Sequence, residues 1–243
     1  LKKMGLEPRC KPDWSRWRQL LERSKNPSRI LRVALVGKYV EIGDFQLTDS
    51  YISVNQSLLH AGVAADTKVE ITWIDGRSFE RGDLEVESLA DYGGIIVPGA
   101  FGEGGAEGVI AALKFARETG MPFLGLCYGM QMAVVEFARH VAGIERATSE
   151  EISDDSDYQV VAVQESQKQV LQDNRYGASM RLGAYAAVLK KDSRVLDLYE
   201  KAGRINEDAA RIRQLLDNPE QSFRVGEIML DRDKVVLERH RHR

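Results

Sequence analysis

The segment Phe123-Leu124-Gly125-Leu126-Cys127-Tyr128-Gly129-Met130-Gln131 is where the residue types of this chain could do covalent chemistry. It reads as a strand, then G-x-C-x-G, then a helix, the cysteine counterpart of the nucleophile elbow. A sharp strand-to-helix turn pushes the nucleophile out of the sheet in a strained backbone conformation, and glycines two residues to either side relieve the crowding. The thiol then stands at a helix N-terminus, where free N–H groups and the positive end of the dipole favour thiolate. The N–H of Tyr128 points toward any oxyanion forming on a carbonyl attacked by Cys127. A buried structural cysteine with two incidental glycines is the competing reading. The placement of both glycines between a strand and a helix favours the nucleophile. Cys10 has no such context and is expected to be inert.

A second loop supports this chemistry. Val97-Pro98-Gly99-Ala100-Phe101-Gly102 follows a predicted strand, and its small residues let backbone N–H groups approach a ligand closely enough to supply the other half of an oxyanion hole. Glycine-rich loops also cradle phosphate, but neither G-x-x-x-x-G-K-[ST] nor G-x-G-x-x-G occurs. Gly37-Lys38-Tyr39 lacks the upstream glycine and the Ser/Thr of a P-loop and reads as a strand end.

These loops need a sheet to position them. Ile30 to Val36 is a β-branched and aliphatic run of strand length, as expected for a strand buried on both faces. Asp49 can cap a helix carrying Tyr51, Val54 and Leu58 at 3-4 spacing. Strands follow at Val69 to Ile74, Gly94 to Val97 and Pro122 to Leu126, with helices near Gly108 to Glu118 and Gly129 to Val141. This alternation predicts an α/β fold whose mostly parallel central sheet has helices on both faces, with the site outside the carboxyl ends of its strands.

Beyond Glu150 the pattern weakens. Tyr158 to Gln164 and Gly183 to Leu189 are expected strands, Glu165 to Ser179 a polar mobile loop. Asn206 to Asp217 is an expected helix with Ile205, Ala209, Ile212 and Leu216 on one face. At the other end, residues 1–28 form a lead-in, with a short helix starting at Pro12-Asp13 and ending at Asn26-Pro27. Its Trp14, Trp17, Leu20 and Leu21 must be buried against something, either the body of this chain or a neighbouring domain.

Composition bounds the partners. The 243 residues carry 34 Lys+Arg against 37 Asp+Glu, a net charge of −3, and 43% hydrophobic residues, which is ordinary for a soluble globular protein. The acidic balance argues against a nucleic-acid binder, and no apolar run approaches the ~20 residues that span a bilayer. Two cysteines cannot build a disulfide framework, so a reducing, cytoplasmic setting is expected. The chain starts at Leu1 rather than Met, which suggests a piece of something longer.

G-L-C-Y-G-M-Q with V-P-G-A-F-G upstream resembles the class I, triad-type glutamine amidotransferases, with their flavodoxin-like fold. The wider resemblance is to the glutaminase domains of the CTP synthase family. It extends to V-A-L-V-G-K-Y, to D-S-Y-x-S-V-N at Asp49 to Asn55, and to E-F-A-R-H-V at Glu136 to Val141. S-M-R-L-G-A-Y at Ser179 to Tyr185 and the closing E-R-H-R-H-R complete it. On this resemblance residues 1–28 are an interdomain linker and 29–243 one amidotransferase domain. It implies glutamine hydrolysis through a glutamyl thioester, supplying ammonia for the ATP-dependent amination of UTP to CTP. By position, Cys127 is the nucleophile, and the backbones of Gly99 or Ala100 and of Tyr128 form the oxyanion hole. Gln131, Glu151 and Arg243 bind the glutamine substrate, a carboxylate and an arginine being what recognition of an α-amino acid needs. The glutaminase half is expected to need no cofactor or metal. Mg2+ and ATP belong to an amidoligase partner domain, GTP to allosteric activation, and a homotetramer to the full-length enzyme.

The chain departs from the family in several places. Ala100 stands for a second glycine and Tyr128 for a leucine, and Gly104 for an arginine linked to GTP activation. The stretch 201–232 is longer than the usual connection and reads as an inserted helix. The His-Pro-Glu motif that supplies the family's base and its orienter does not occur, so the piece alone is expected to be weak or inactive. His240 and His242 fall in the substrate-binding basic segment rather than in the base's place, and His60 and His140 read as surface or packing residues. Two alternatives stay open: a catalytically silent module of the same fold serving assembly or regulation, and another hydrolase of this fold, such as a cysteine peptidase acting on γ-glutamyl bonds.

Overall fold

The computed structural model describes residues 2–5, 13–38, 41–42, 45–46, 48–153, 157–165, 167–168, 181–217 and 234–242. They divide into two compact units, Leu1–Ala162 and Val163–Arg243.

The first unit is built on four parallel strands: β1 (Arg29–Gly37), β4 (Thr67–Asp75), β5 (Ile95–Val97) and β6 (Phe123–Gly125), in the order β4-β1-β5-β6. The small hairpin β2 (Glu41–Ile42) and β3 (Phe45–Gln46) lies between β1 and β4 in sequence. Alternation along β1 divides its side chains between two cores. Ala34 and Val36 join Ile95, Val97 and the apolar faces of α4 (Ala106–Thr119) and α5 (Tyr128–His140). Leu35 packs with Tyr51, Val54, Ile71 and Trp73 beside α2 (Ile52–Ala64). Helices therefore cover both faces, as right-handed crossovers running in opposite directions from the middle of a parallel sheet require.

Two local expectations are corrected. β1 is buried only from Val33 to Gly37, with Ile30 65% exposed. β4 flanks it along all nine residues, but β5 pairs only with Ala34 and Leu35, so the first half of the strand has a neighbour on one side. Asp49 lies inside a 3-10 turn (Thr48–Tyr51), and Tyr51 is the N-cap of α2. No residue of α1 (Ser15–Lys25) is buried, and Trp14 and Trp17 remain 53% and 54% exposed, while α1 meets α2 through Arg23, which donates to the Ala64 carbonyl at 3.5 Å.

The chain next forms α3 (Gly76–Arg81) and, after α5, the short strands β7 (Thr148–Ser149) and β8 (Gln159–Val161), which pair in parallel. In the second unit β9 (Arg181–Val188) and β10 (Val235–His242) pair antiparallel, from Val235 opposite Val188 to His242 opposite Arg181. The R-L-G-A-Y and E-R-H-R-H segments, more than fifty residues apart, are thus neighbours in one ladder. The helices α6 (Arg194–Lys201) and α7 (Arg204–Leu216) pack on it through Leu196, Ile205 and Ile212. Leu216 is 56% exposed and Leu215 packs in its stead, correcting the expected face of α7. Asp208 is buried there, accepting hydrogen bonds from Leu237 N–H at 3.0 Å and Arg204 at 2.9 Å. Of the expected loop 165–179, residues 165 and 167–168 are helical and the rest lies outside the described residues.

Candidate active site

β1 connects toward β4, whereas β5 connects toward β6, so the sheet reverses direction between β1 and β5. Ligands of open parallel sheets bind outside the carboxyl ends at such a point. Here those ends are Gly37-Lys38 and Val97-Pro98, with Leu126-Cys127 following β6.

Cys127 is the N-cap of α5, with φ 53° and ψ −105°, a conformation that costs a non-glycine residue about 1–3 kcal/mol and persists only where the surroundings impose it. The surroundings are visible. A Cβ on Gly129 would lie 2.2 Å from the Val97 carbonyl oxygen, and one on Gly125 would lie 2.7 Å from the Gly129 carbonyl carbon and the Met130 nitrogen. The two glycines let the strand, the turn and the helix approach closely enough to raise Cys127 out of the sheet, where it is exposed. Tyr128 opens the first turn of α5, its side chain 1% exposed. Gln131 N–H donates to the Cys127 carbonyl at 3.0 Å, one turn along, and its side chain is partly buried.

Gly99 faces the cysteine: a Cβ there would stand 3.6 Å from Cys127 Cβ. Ala100 is buried and does not adopt a positive φ, so its methyl group meets no backbone penalty. The loop that follows is held at two places. Gly102 N–H donates to Glu151 Oε1 at 3.0 Å, and the Gly102 carbonyl accepts a hydrogen bond from Lys38 Nζ. Farther on, the Glu80 carboxylate of α3 accepts from the backbone N–H groups of Gly105, Glu107 and Gly108 at 3.2, 2.8 and 3.2 Å, satisfying the start of α4. Glu151 is placed by β7, its N–H donating to Ser149 Oγ at 3.2 Å.

Lys38 is a site residue that the strand-end reading misses. It is 8% exposed, with Nζ 4.8 Å from the centre of the Tyr128 ring and 3.4 Å from its hydroxyl. Burial holds its ammonium below the usual lysine range, against the carboxylates of Glu151, Glu80 and Glu103, which favour the charge. The available signal was a lysine immediately after a buried parallel strand, at the sheet end where sites form.

Cys127, Gly99, Ala100, Tyr128, Gln131 and Glu151 all belong to the first unit, whereas Arg243 lies outside the described residues, as does Cys10. His140 ends α5, thirteen residues or about 20 Å of helix from Cys127, and its ring meets the Glu136 carbonyl at 3.1 Å. His60 is exposed on α2, while His240 and His242 belong to β10 in the second unit. Among the described residues no group of three His, Cys, Asp or Glu could hold a metal, and no helix is long and apolar enough to cross a membrane.

Comparison with known proteins agrees with this geometry. The family model "Glutamine amidotransferase class-I" matches residues 46–242. The CTP synthase of Ruminiclostridium cellulolyticum is 37% identical over all 243 residues, which cover 37% of that protein. That of Methanocaldococcus jannaschii is 44% identical over 204 residues, covering 82% of this chain and 36% of the relative. The chain thus spans about a third of the length of the curated relatives it matches. Among solved structures, the glutaminase domain of Trypanosoma brucei CTPS with bound acivicin superposes with a TM-score of 0.63 at 32% identity, covering 88% of this chain and 67% of that one. A strained cysteine elbow on a parallel sheet, and sequence likeness along the same stretch, lead to one conclusion: the chain belongs to the class-I glutamine amidotransferases, among the glutaminase domains of CTP synthases.

Proposed function

We propose that Cys127 attacks the side-chain carbonyl of L-glutamine, and that the ammonia released serves a CTP synthase of which this chain is the glutaminase part. The observation that carries the reading is the Cys127 elbow, exposed and strained at the start of α5 with Gly99 against it. The thiolate sulfur adds to Cδ, and the carbonyl oxygen takes the negative charge beside the N–H groups of Tyr128 and of Gly99 or Ala100. Collapse breaks the C–N bond, the nitrogen leaves with an added proton as ammonia, and water hydrolyses the remaining glutamyl thioester to glutamate and free thiol.

Gln131 and Glu151 bind the substrate in this reading, with Arg243 taking its α-carboxylate. Delivery of ammonia to an amidoligase domain that aminates UTP with ATP and Mg2+, activation by GTP, assembly as a homotetramer and a cytoplasmic setting are parts of the same proposal. Gly104 offers no side chain to an activator. The trypanosome relative's acivicin makes that compound a second proposed ligand.

Intact-mass analysis after incubation with a glutamine-mimicking chloroketone tests the reading. One adduct on the wild type and none on Cys127→Ala is expected. Labelling that persists in the variant, or a folded wild type that takes no label, sinks it.

A further inference from the structure

We propose that Lys38 is a positioning residue of this site, acting with Glu151 as a clamp on the Gly102 peptide that fixes the oxyanion loop against Cys127. The inference rests on the reading of Cys127 as the nucleophile that attacks a glutamine carbonyl.

The loop between β5 and α4 runs from Pro98 to Gly105, and its first residues carry the N–H groups that would face the oxyanion. A chain rich in glycine has many accessible conformations and does not hold such donors in place by itself. Three side chains from three separate elements supply the order. Glu80 holds the far end at Gly105, Glu107 and Gly108. The middle is gripped at one peptide unit. Gly102 has φ 79°, which presents its N–H and its carbonyl to different partners, Glu151 Oε1 at 3.0 Å and Lys38 Nζ. The same ammonium lies 3.4 Å from the Tyr128 hydroxyl and 4.8 Å from the centre of its ring. Tyr128 follows Cys127 directly and its N–H is the other half of the oxyanion hole. One buried cation at the end of β1 thus ties the loop after β5 to the helix that follows the nucleophile. Its position makes sense of a charge held at 8% exposure: the ammonium donates to the Gly102 carbonyl and opposes the Glu151 carboxylate across the same peptide.

Lys38→Met keeps the length and apolar stem of the side chain and removes its donors, and Lys38→Arg keeps charge and donors. Both are compared with wild type in the 243-residue chain, with the glutamine-mimicking chloroketone and with iodoacetamide as probes. The chloroketone places its carbonyl where the glutamine carbonyl would lie, whereas iodoacetamide alkylates an accessible thiolate without needing that geometry. Loosening a donor rather than deleting it predicts a fall of about tenfold in the limiting rate of chloroketone labelling for Lys38→Met, with little change in half-saturation. Iodoacetamide rates stay at the wild-type value, and Lys38→Arg recovers most of the loss. Amide exchange over the peptide containing Gly102 speeds up in Lys38→Met in parallel. A general loss of structure would move both reagents together. A wild type that takes no chloroketone refutes the glutamine reading and this proposal with it. A labelled wild type whose Lys38→Met variant reacts equally fast, or slows in step with iodoacetamide, overturns the proposal alone.

Discussion

Gly129→Ala puts the elbow to the most direct test. The added methyl carbon would stand 2.2 Å from the Val97 carbonyl oxygen, 2.8 Å from Val97 Cβ and 2.9 Å from its carbonyl carbon. Carbon and oxygen in contact ordinarily lie about 3.3 Å apart, so the turn or the strand must give by roughly 1 Å. The strand is poorly able to do so: Val97 is 1% exposed, and the same oxygen accepts the Leu126 N–H at 2.9 Å. Overpacking of this kind costs about 1–3 kcal/mol. For a unit of this size that lowers the melting temperature by roughly 2–12 °C. The displacement falls two residues from Cys127, and a misplacement of ~1 Å at a reacting group costs on the order of a hundredfold in rate. Chloroketone labelling followed by mass spectrometry, alongside thermal unfolding, reads both effects on one preparation. A Gly129→Ala chain that melts with wild type and labels at the wild-type rate would refute the argument that these glycines set the position of the thiol.

Three further outcomes follow from the packing. Burial lowers the Lys38 proton affinity in the folded chain, so the unfolded chain binds that proton more tightly; the cost is present at neutral pH and fades as pH rises toward the ordinary lysine value of 10.5. The wild type should therefore gain stability relative to Lys38→Met as pH rises toward that value, and a stability difference that does not change with pH would contradict this. Asp208→Ala strips an acceptor from Leu237 N–H and Arg204 inside the second unit and should cost about 1–3 kcal/mol in urea unfolding, an unchanged midpoint being the contrary result. Arg117→Met leaves the Glu136 carboxylate, 4% exposed, without the guanidinium that holds it at 2.9 Å, and should lower the melting temperature. Adding Glu136→Met should restore part of the loss, and a double variant as unstable as the single one would show that the carboxylate left without Arg117, with only His140 at 3.3 Å, is not the cause.

The parallel sheet was legible because β1, β5 and β6 are short apolar runs and those of β5 and β6 are followed by helices with apolar faces of their own, and Cys127 because G-x-C-x-G has a steric reason at every fixed position. The failures share a physical origin. The exposed half of β1 and the exposed Leu216 reflect which neighbours a residue receives, which periodicity within one segment does not encode. Asp208 stands among the charged residues of its helix, and only the β10 backbone opposite it explains its burial. Lys38 escaped because its partner is a backbone carbonyl sixty-four residues away, and its place directly after a buried strand was the one signal available. The exposed Trp14 and Trp17 mark the opposite case, an amphipathic face readable in sequence that stays half-exposed among the described residues.

Where local costs accumulate is itself informative. Over most of the first unit each local preference agrees with the fold: apolar residues alternate into two cores, Glu80 satisfies a helix start, and Arg139 bridges Glu107 and the Ala147 carbonyl. Exceptions occur elsewhere, as at Asp66 with φ 52° just before β4, but three fall together at the carboxyl ends of three adjacent strands. After β1 an ammonium is buried, after β5 a glycine is held at φ 79°, and after β6 a cysteine is held at φ 53°. The buried ammonium and the strained cysteine are each unfavourable alone, whereas the glycine adopts its φ freely, and a sheet built only for stability would have no reason to gather the first two. Gathered at the point where the strand connections reverse, they are linked: Lys38 holds Gly102 and touches Tyr128, and Tyr128 adjoins Cys127. The well-packed helices and strands supply the rigidity that keeps these three conformations from relaxing, and the relaxed alternatives are the ones in which a thiol and its oxyanion donors would no longer face the same carbonyl.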